Sequence, residues 1–139
     1  MCAVNRISSE PPSHWTCATF AVRACPFLSQ PLAKRADVSD LKAQPPPGLM
    51  IDRNPGVSLV WGTLSYRTEK HDGGLLFRIG TPFRLEWYAR GRTATRDEII
   101  ESIETGLPRL VEVAKHGGAA EMTALKKAIE RAVKLVPAE

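Results

Sequence analysis

Cysteine is scarce in this 139-residue chain, and all three copies fall within the first 25 positions. An odd number of thiols cannot close a disulfide framework. With 43% hydrophobic residues, a chain of this length can bury a core without such staples. Met1-Cys2-Ala3-Val4 is followed by polar residues and prolines rather than an apolar h-region, so a secretory signal is not expected. The longest apolar runs fall far short of the ~20 residues that cross a bilayer. A P-loop, GxGxxG, HExxH and GxSxG are all missing, which removes the motif-borne routes to nucleotide binding, zinc proteolysis and acyl transfer. No internal repeat occurs. These absences leave a reduced, cytoplasmic, non-membrane protein, with a monomer expected and a dimer through the C-terminal helix as the alternative.

The net charge of +4 is mild but unevenly placed. Residues 1–50 carry five Lys/Arg against three Asp/Glu, residues 51–92 seven against four, and residues 93–139 seven against eight. The basic excess therefore belongs to the first two thirds, which suits nucleic acid or an acidic protein partner without selecting either.

The pattern divides the chain into an N-terminal Cys/His-containing appendage (1–44) and an α+β domain (45–139). Pro11-Pro12 stops earlier structure, and Ser13 is a suitable cap for a short helix starting at His14 and closed by Cys25-Pro26. Pro45-Pro46-Pro47-Gly48 reads as a stiff linker. Strands are expected over about 49–90, with Met50-Ile51-Asp52 as a short edge strand and Val57 to Tyr66 as one β run. His71-Asp72-Gly73-Gly74 is a hairpin loop leading to Leu75–Ile79. From Phe83 the period is two: Phe83, Leu85, Trp87 and Ala89 face one way, and Arg84, Glu86, Tyr88 and Arg90 the other.

Helices follow over about 96–136. Thr95-Arg96-Asp97-Glu98 matches the capping box. Gly106 and Pro108 predict a stop and a restart, and Gly117-Gly118 a second stop. Met122, Leu125, Ile129, Val133 and Val136 form the apolar stripe of the last helix, expected to bury against Phe83, Leu85 and Trp87. The fold class is thus α+β: an antiparallel sheet of three to four strands packed by C-terminal helices, with an N-terminal helix-loop appendage.

Two groups of residues point to chemistry. Cys2, His14, Cys17 and Cys25 offer thiolate and imidazole ligands for one structural zinc, since His14 and Cys17 stand at i,i+3 on one helical face. No CxxC pair complements them, and small buried cysteines on a packed helix account for the same residues. The other group is Arg84, Tyr88 and Arg90, with Arg67 and Arg78 from neighbouring strands. It would make a cationic, aromatic-bearing platform for phosphates or bases. Its plainer reading is a solvated sheet face on which Glu86 pairs with an Arg.

Three stretches resemble a family of small proteins encoded in bacteriophages and prophage regions. They are Met1-Cys-Ala-Val-Asn-Arg6 with Ser-Glu-Pro-Pro-Ser-His14 and Cys25-Pro-Phe-Leu28; Arg53-Asn-Pro-Gly-Val57 through Trp61; and Glu86-Trp-Tyr-Ala89 with Gly91-Arg92, through Gly106-Leu-Pro108. The resemblance brings no activity with it. Longer members carry an upstream CxxC pair that would join the HxxC pair in a treble-clef zinc site. By that resemblance, either this chain starts at an internal Met of a longer frame or Cys2 and Cys25 replace the pair. The expected function is a non-enzymatic phage or mobile-element accessory protein that binds a host protein complex or nucleic acid. The alternatives are a small zinc-dependent enzyme and a virion structural or assembly protein.

Overall fold

The computed structural model describes residues 3–30, 33–34, 54, 56–71 and 73–138. The fold is α+β: two antiparallel three-stranded sheets and a C-terminal helical pair. The elements run β1 (Ile7–Ser8), α1 (Trp15–Ala24), α2 (Pro26–Ser29), β2 (Ser58–Thr63), β3 (Tyr66–His71), β4 (Gly74–Ile79), β5 (Pro82–Ala89), β6 (Arg92–Thr93), α3 (Arg96–Gly117) and α4 (Ala119–Val133). One sheet has the order β2–β5–β6 and the other β1–β4–β3. The expected strand at 50–52, the linker and the boundary at 44/45 lie outside the described residues.

The β run expected from Val57 to Tyr66 breaks at Leu64-Ser65, and so does its partner at Gly80-Thr81. A single two-stranded ribbon is thereby divided between the two sheets. Gly80 donates its N–H to the Ser65 carbonyl at 3.0 Å, and a Cβ on Gly80 would stand only 2.7 Å from that oxygen. Only glycine permits this close backbone approach. Trp61 fixes the bend from the other side, its indole N–H donating to the Gly80 carbonyl at 3.1 Å. At the distal end His71 pairs with Gly74 and Gly73 turns at φ +91°, so β3 and β4 form a hairpin; Asp72 of the expected loop lies outside the described residues.

Residues Ala3 and Val4 enter the main core with Leu59, Trp87, Ile99 and Ala132, and β1 pairs with β4. The N-terminal helix-loop expected as an appendage therefore shares the core of the α+β unit. Ala3 and Val4 are buried because they join one apolar cluster with Leu59 and Trp87 of the β2–β5 sheet and Ala132 of α4.

Thr95 and Glu98 form the expected capping box, and Ala94 and Ile99, flanking the cap, share the main core cluster. This staple-like flank fixes how the chain enters α3. The expected stop near Gly106 does not occur: α3 runs unbroken for 22 residues with Pro108 inside. Ile99, Ile103, Leu110 and Ala114 stay in phase through the proline and pack inward. Pro108 and Glu104, whose carbonyl loses its donor, lie on the exposed side, open to solvent. Tertiary burial thus outweighs the ~3 kcal/mol cost of an interior proline.

Arg96, at the start of α3, donates to the Pro137 carbonyl beyond α4 at 2.6 Å, so the two helices form an antiparallel hairpin about Gly118. The expected stripe of α4 is rotated slightly. Leu125, Ile129 and Val136 pack as expected with Ala128 and Leu135, Ala132 is wholly buried, and Val133 is exposed.

Candidate functional site

The face of β5 that carries Arg84, Glu86 and Tyr88 is not open to a ligand along its length, because α1 lies across it. Val22 of α1 forms a second core cluster with Val60 and Tyr88, joined by Trp15, Ala18 and Leu28. Tyr88 is only 4% exposed. Its hydroxyl donates to Glu86 Oε2 at 2.6 Å and accepts from Arg23 Nη2 at 3.3 Å. Arg84 donates to Glu86 Oε1 at 2.6 and 3.1 Å and stacks over the Trp15 ring at 4.3 Å. Arg23 covers the Tyr88 ring at 5.3 Å.

The hydrogen bond from Tyr88, then those from Arg84, hold the Glu86 carboxyl below its usual range despite opposition from burial. The same bond, followed by burial, holds Tyr88 above its usual range. The Arg23–Tyr88 hydrogen bond and the two cation–ring contacts fasten α1 to the sheet, while Glu86 ties Arg84 and Tyr88 together along β5. Tyr88 therefore presents no ring for base stacking, which corrects its expected role.

The alternation expected along β5 also fails at one end. A register shift at Gly62/Thr63 puts the Phe83 ring beside Gly62 and Trp15, on the α1 side. Leu85 and Trp87 alone of the expected trio cover the main core, and Phe83 is 64% exposed.

The remaining cations of the expected platform are dispersed. Arg67 and Arg78 are direct cross-strand neighbours, but in the other sheet. Glu69 accepts both forks of Arg78 at 2.6 and 3.2 Å. That hydrogen bond lowers the Glu69 carboxyl and raises the Arg78 guanidinium. Arg90 sits in the two-residue turn joining Ala89 to Arg92, where φ is +53° at Arg90 and +75° at Gly91. Arg67, Arg78, Arg84, Tyr88 and Arg90 do not form one surface.

The cysteine–histidine group is likewise distributed. His14 caps α1 without a side-chain bond, one residue later than Ser13 was expected to. Cys17 lies in its first turn and Cys25 caps its end. Eight residues at 1.5 Å each separate the two thiols by about 12 Å along the axis, while Zn–S bonds are about 2.3 Å. Cys25 therefore cannot share an ion with the His14–Cys17 pair. Cys2 lies outside the described residues. Among the described residues no three His, Cys, Asp or Glu side chains come together as a metal site.

The sequence reading expected the strand at Leu75–Ile79 but missed β3 and the separation of β1, β4 and β3 into a sheet of their own. Strand pairing puts Tyr66, Thr68, Lys70, Leu75, Phe77 and Ile79 on one face. Tyr66 and Phe77 meet edge to face at 5.8 Å and 62°. Neither core cluster includes a residue of β3 or β4, every residue of β3 is exposed, and Tyr66 and Leu75 are 50% and 44% exposed. The alternation of Leu75, Phe77 and Ile79 was visible in the sequence. Its partner strand, Tyr-Arg-Thr-Glu-Lys-His, is too polar to show as one.

No family model, curated protein or solved structure matches the chain. Among the described residues no helix is long and apolar enough to cross a membrane.

Proposed function

We propose that the protein is a non-enzymatic accessory factor, of the phage or mobile-element kind its sequence resembles, that acts in the host cytoplasm by docking a host protein. The observation behind this reading is the sheet face on which Tyr66, Leu75, Phe77 and Ile79 stand with Thr68 and Lys70, none of them in either core cluster. Half-exposed Tyr and Leu side chains gain about 1 kcal/mol each when a partner completes their burial, and tyrosine is a favoured interface anchor. The outer strand β3 carries Arg67, Glu69 and Lys70. Charged side chains on an edge oppose strand-to-strand association of copies, so the partner is received on the face.

The test is capture from host lysate by the wild-type chain and by Tyr66→Asp with Leu75→Asp, each with and without nuclease. A protein band retained by the wild type in both arms and lost by the double variant is expected. Equal capture by the variant, or capture abolished by nuclease, would refute the reading. Both residues are exposed, so an unchanged melting temperature confirms that the variant is folded.

A further inference from the structure

Among the described residues no ion pair joins the two helices of the hairpin. On α3, Asp97, Glu101 and Glu104 recur at four- and three-residue steps on the exposed side. On α4 and just past its end, Lys127, Arg131 and Lys134 do the same, all exposed. At 100° per residue these three fall within about 60° of one another around the axis and span about 10 Å along it. None of them enters one of the four ion pairs found among the described residues, and neither does Glu130, the carboxylate nearest in sequence.

Two further cations extend the ridge. Arg96 and Lys134 line one cleft with Val133, Val136 and Ala138. Arg6 stacks over Trp61 at 4.9 Å, in the turn where Ala3 and Val4 pack against Ala132 of α4. Its guanidinium is held below the usual range by burial and then by the charge of Arg131. Like charges at i,i+4 destabilise a helix by a few tenths of a kcal/mol, and the one carboxylate on this side of α4, Glu130, at i+3 from Lys127 and i−4 from Lys134, offsets only part of their charge.

We propose that this ridge, Arg6, Arg96, Lys127, Arg131 and Lys134, is a docking surface for the phosphate backbone of duplex DNA, separate from the apolar sheet face. Cations held on a rigid helix meet regularly spaced phosphates without rearrangement. A helix 10–12 Å across matches a major groove about 12 Å wide. Single strands are disfavoured because the one aromatic ring known to lie beside the ridge, Trp61, is already covered by Arg6, leaving no platform for base stacking. Contacts of this kind position the protein without reading sequence.

The test is fluorescence anisotropy with a labelled 30-base-pair duplex at 50 and 200 mM salt. Neutralising about four phosphates gives a log–log slope near −3.6, or about 150-fold weaker binding across that fourfold change in salt. Lys127→Glu with Arg131→Glu is expected to weaken binding more than 100-fold at low salt, while Arg67→Glu with Lys70→Glu stays within about threefold. Both residues are exposed, so a melting temperature within a few degrees of the parent's shows that the variant is folded. No binding of the parent at 50 mM salt would overturn the proposal, as would equal effects of the two variants. So would tighter binding to a single strand, or equal binding to a polyglutamate chain, which would identify an acidic protein as the partner.

Discussion

Replacing Ile99 by alanine is the sharpest test of the packing that holds the helical hairpin to the sheet. Ile99 is 1% exposed, the largest side chain wholly enclosed among the described residues, and shares its cluster with Leu59, Trp87 and Ala132. Ile99→Ala removes three carbons, a transfer loss of about 2.4 kcal/mol at ~0.8 kcal/mol each. The cavity left between sheet and helices adds to this, for a total of about 3–4 kcal/mol, within the range for such changes. For a chain of this size each kcal/mol moves Tm by about 3–5 °C, so a fall of 10–15 °C is expected. Ile99→Val, which removes one carbon, should cost about 0.5–1.5 kcal/mol, and Val113→Ala on the exposed side of α3 under about 0.5 kcal/mol. Urea denaturation followed by circular dichroism gives all three on one scale. An Ile99→Ala cost no larger than that of Ile99→Val would show that α3 does not close over the sheet at this point.

Three other outcomes follow from particular contacts. The Arg92 fork, then the Thr95 backbone N–H, lower the Glu98 carboxyl to about 2. A depressed carboxylate stabilises the fold above its unfolded pKa near 4.3, and the contribution is lost as pH falls through about 2. Glu98→Gln should therefore cost about 1 kcal/mol at pH 7 and little at pH 2, read from urea midpoints; a constant cost would refute the pairing. Trp87 Nε1 is buried with no partner among the described residues, whereas Trp61 Nε1 bonds the Gly80 carbonyl. Removing an orphan donor offsets part of the lost packing, so Trp87→Phe should destabilise less than Trp61→Phe, with the reverse order of melting temperatures as the refuting result. Any zinc the purified protein retains should survive Cys25→Ser, since that thiol stands about 12 Å from Cys17 along α1; elemental analysis showing its loss would contradict the helix.

The elements legible in the sequence were those whose signals are local. The capping box of Thr95 and Glu98 concerns four consecutive residues, and the hairpin that pairs His71 with Gly74 a short loop. Pro108 was misread for the same reason. Its local rule says stop, and it is overruled by Ile103, Leu110 and Ala114, whose common burial depends on a sheet the rule does not consult. The bend at Ser65 and Gly80 was hidden because it is a property of two strands at once. Trp61, Ser65 and Gly80 meet only when the ribbon folds over.

The candidate sites show the same division more sharply. Alternation correctly put Arg84, Glu86 and Tyr88 on one face of β5, and that face was then assigned to solvent or a ligand. Its occupant is α1, more than 60 residues earlier in the chain, which brings Trp15 under Arg84 and Arg23 over Tyr88. Once Glu86 has accepted from both Arg84 and Tyr88, the apparent basic platform is a neutralised joint. Lys127, Arg131 and Lys134 read in the sequence only as the polar side of the last helix, since they alternate with Glu130 and sit in the acidic third of the chain. They become a ridge because they share one side of α4 and no ion pair among the described residues claims them. Interaction surfaces in a chain this small are decided by which charges remain after the fold has paired the rest, and that remainder is a tertiary quantity.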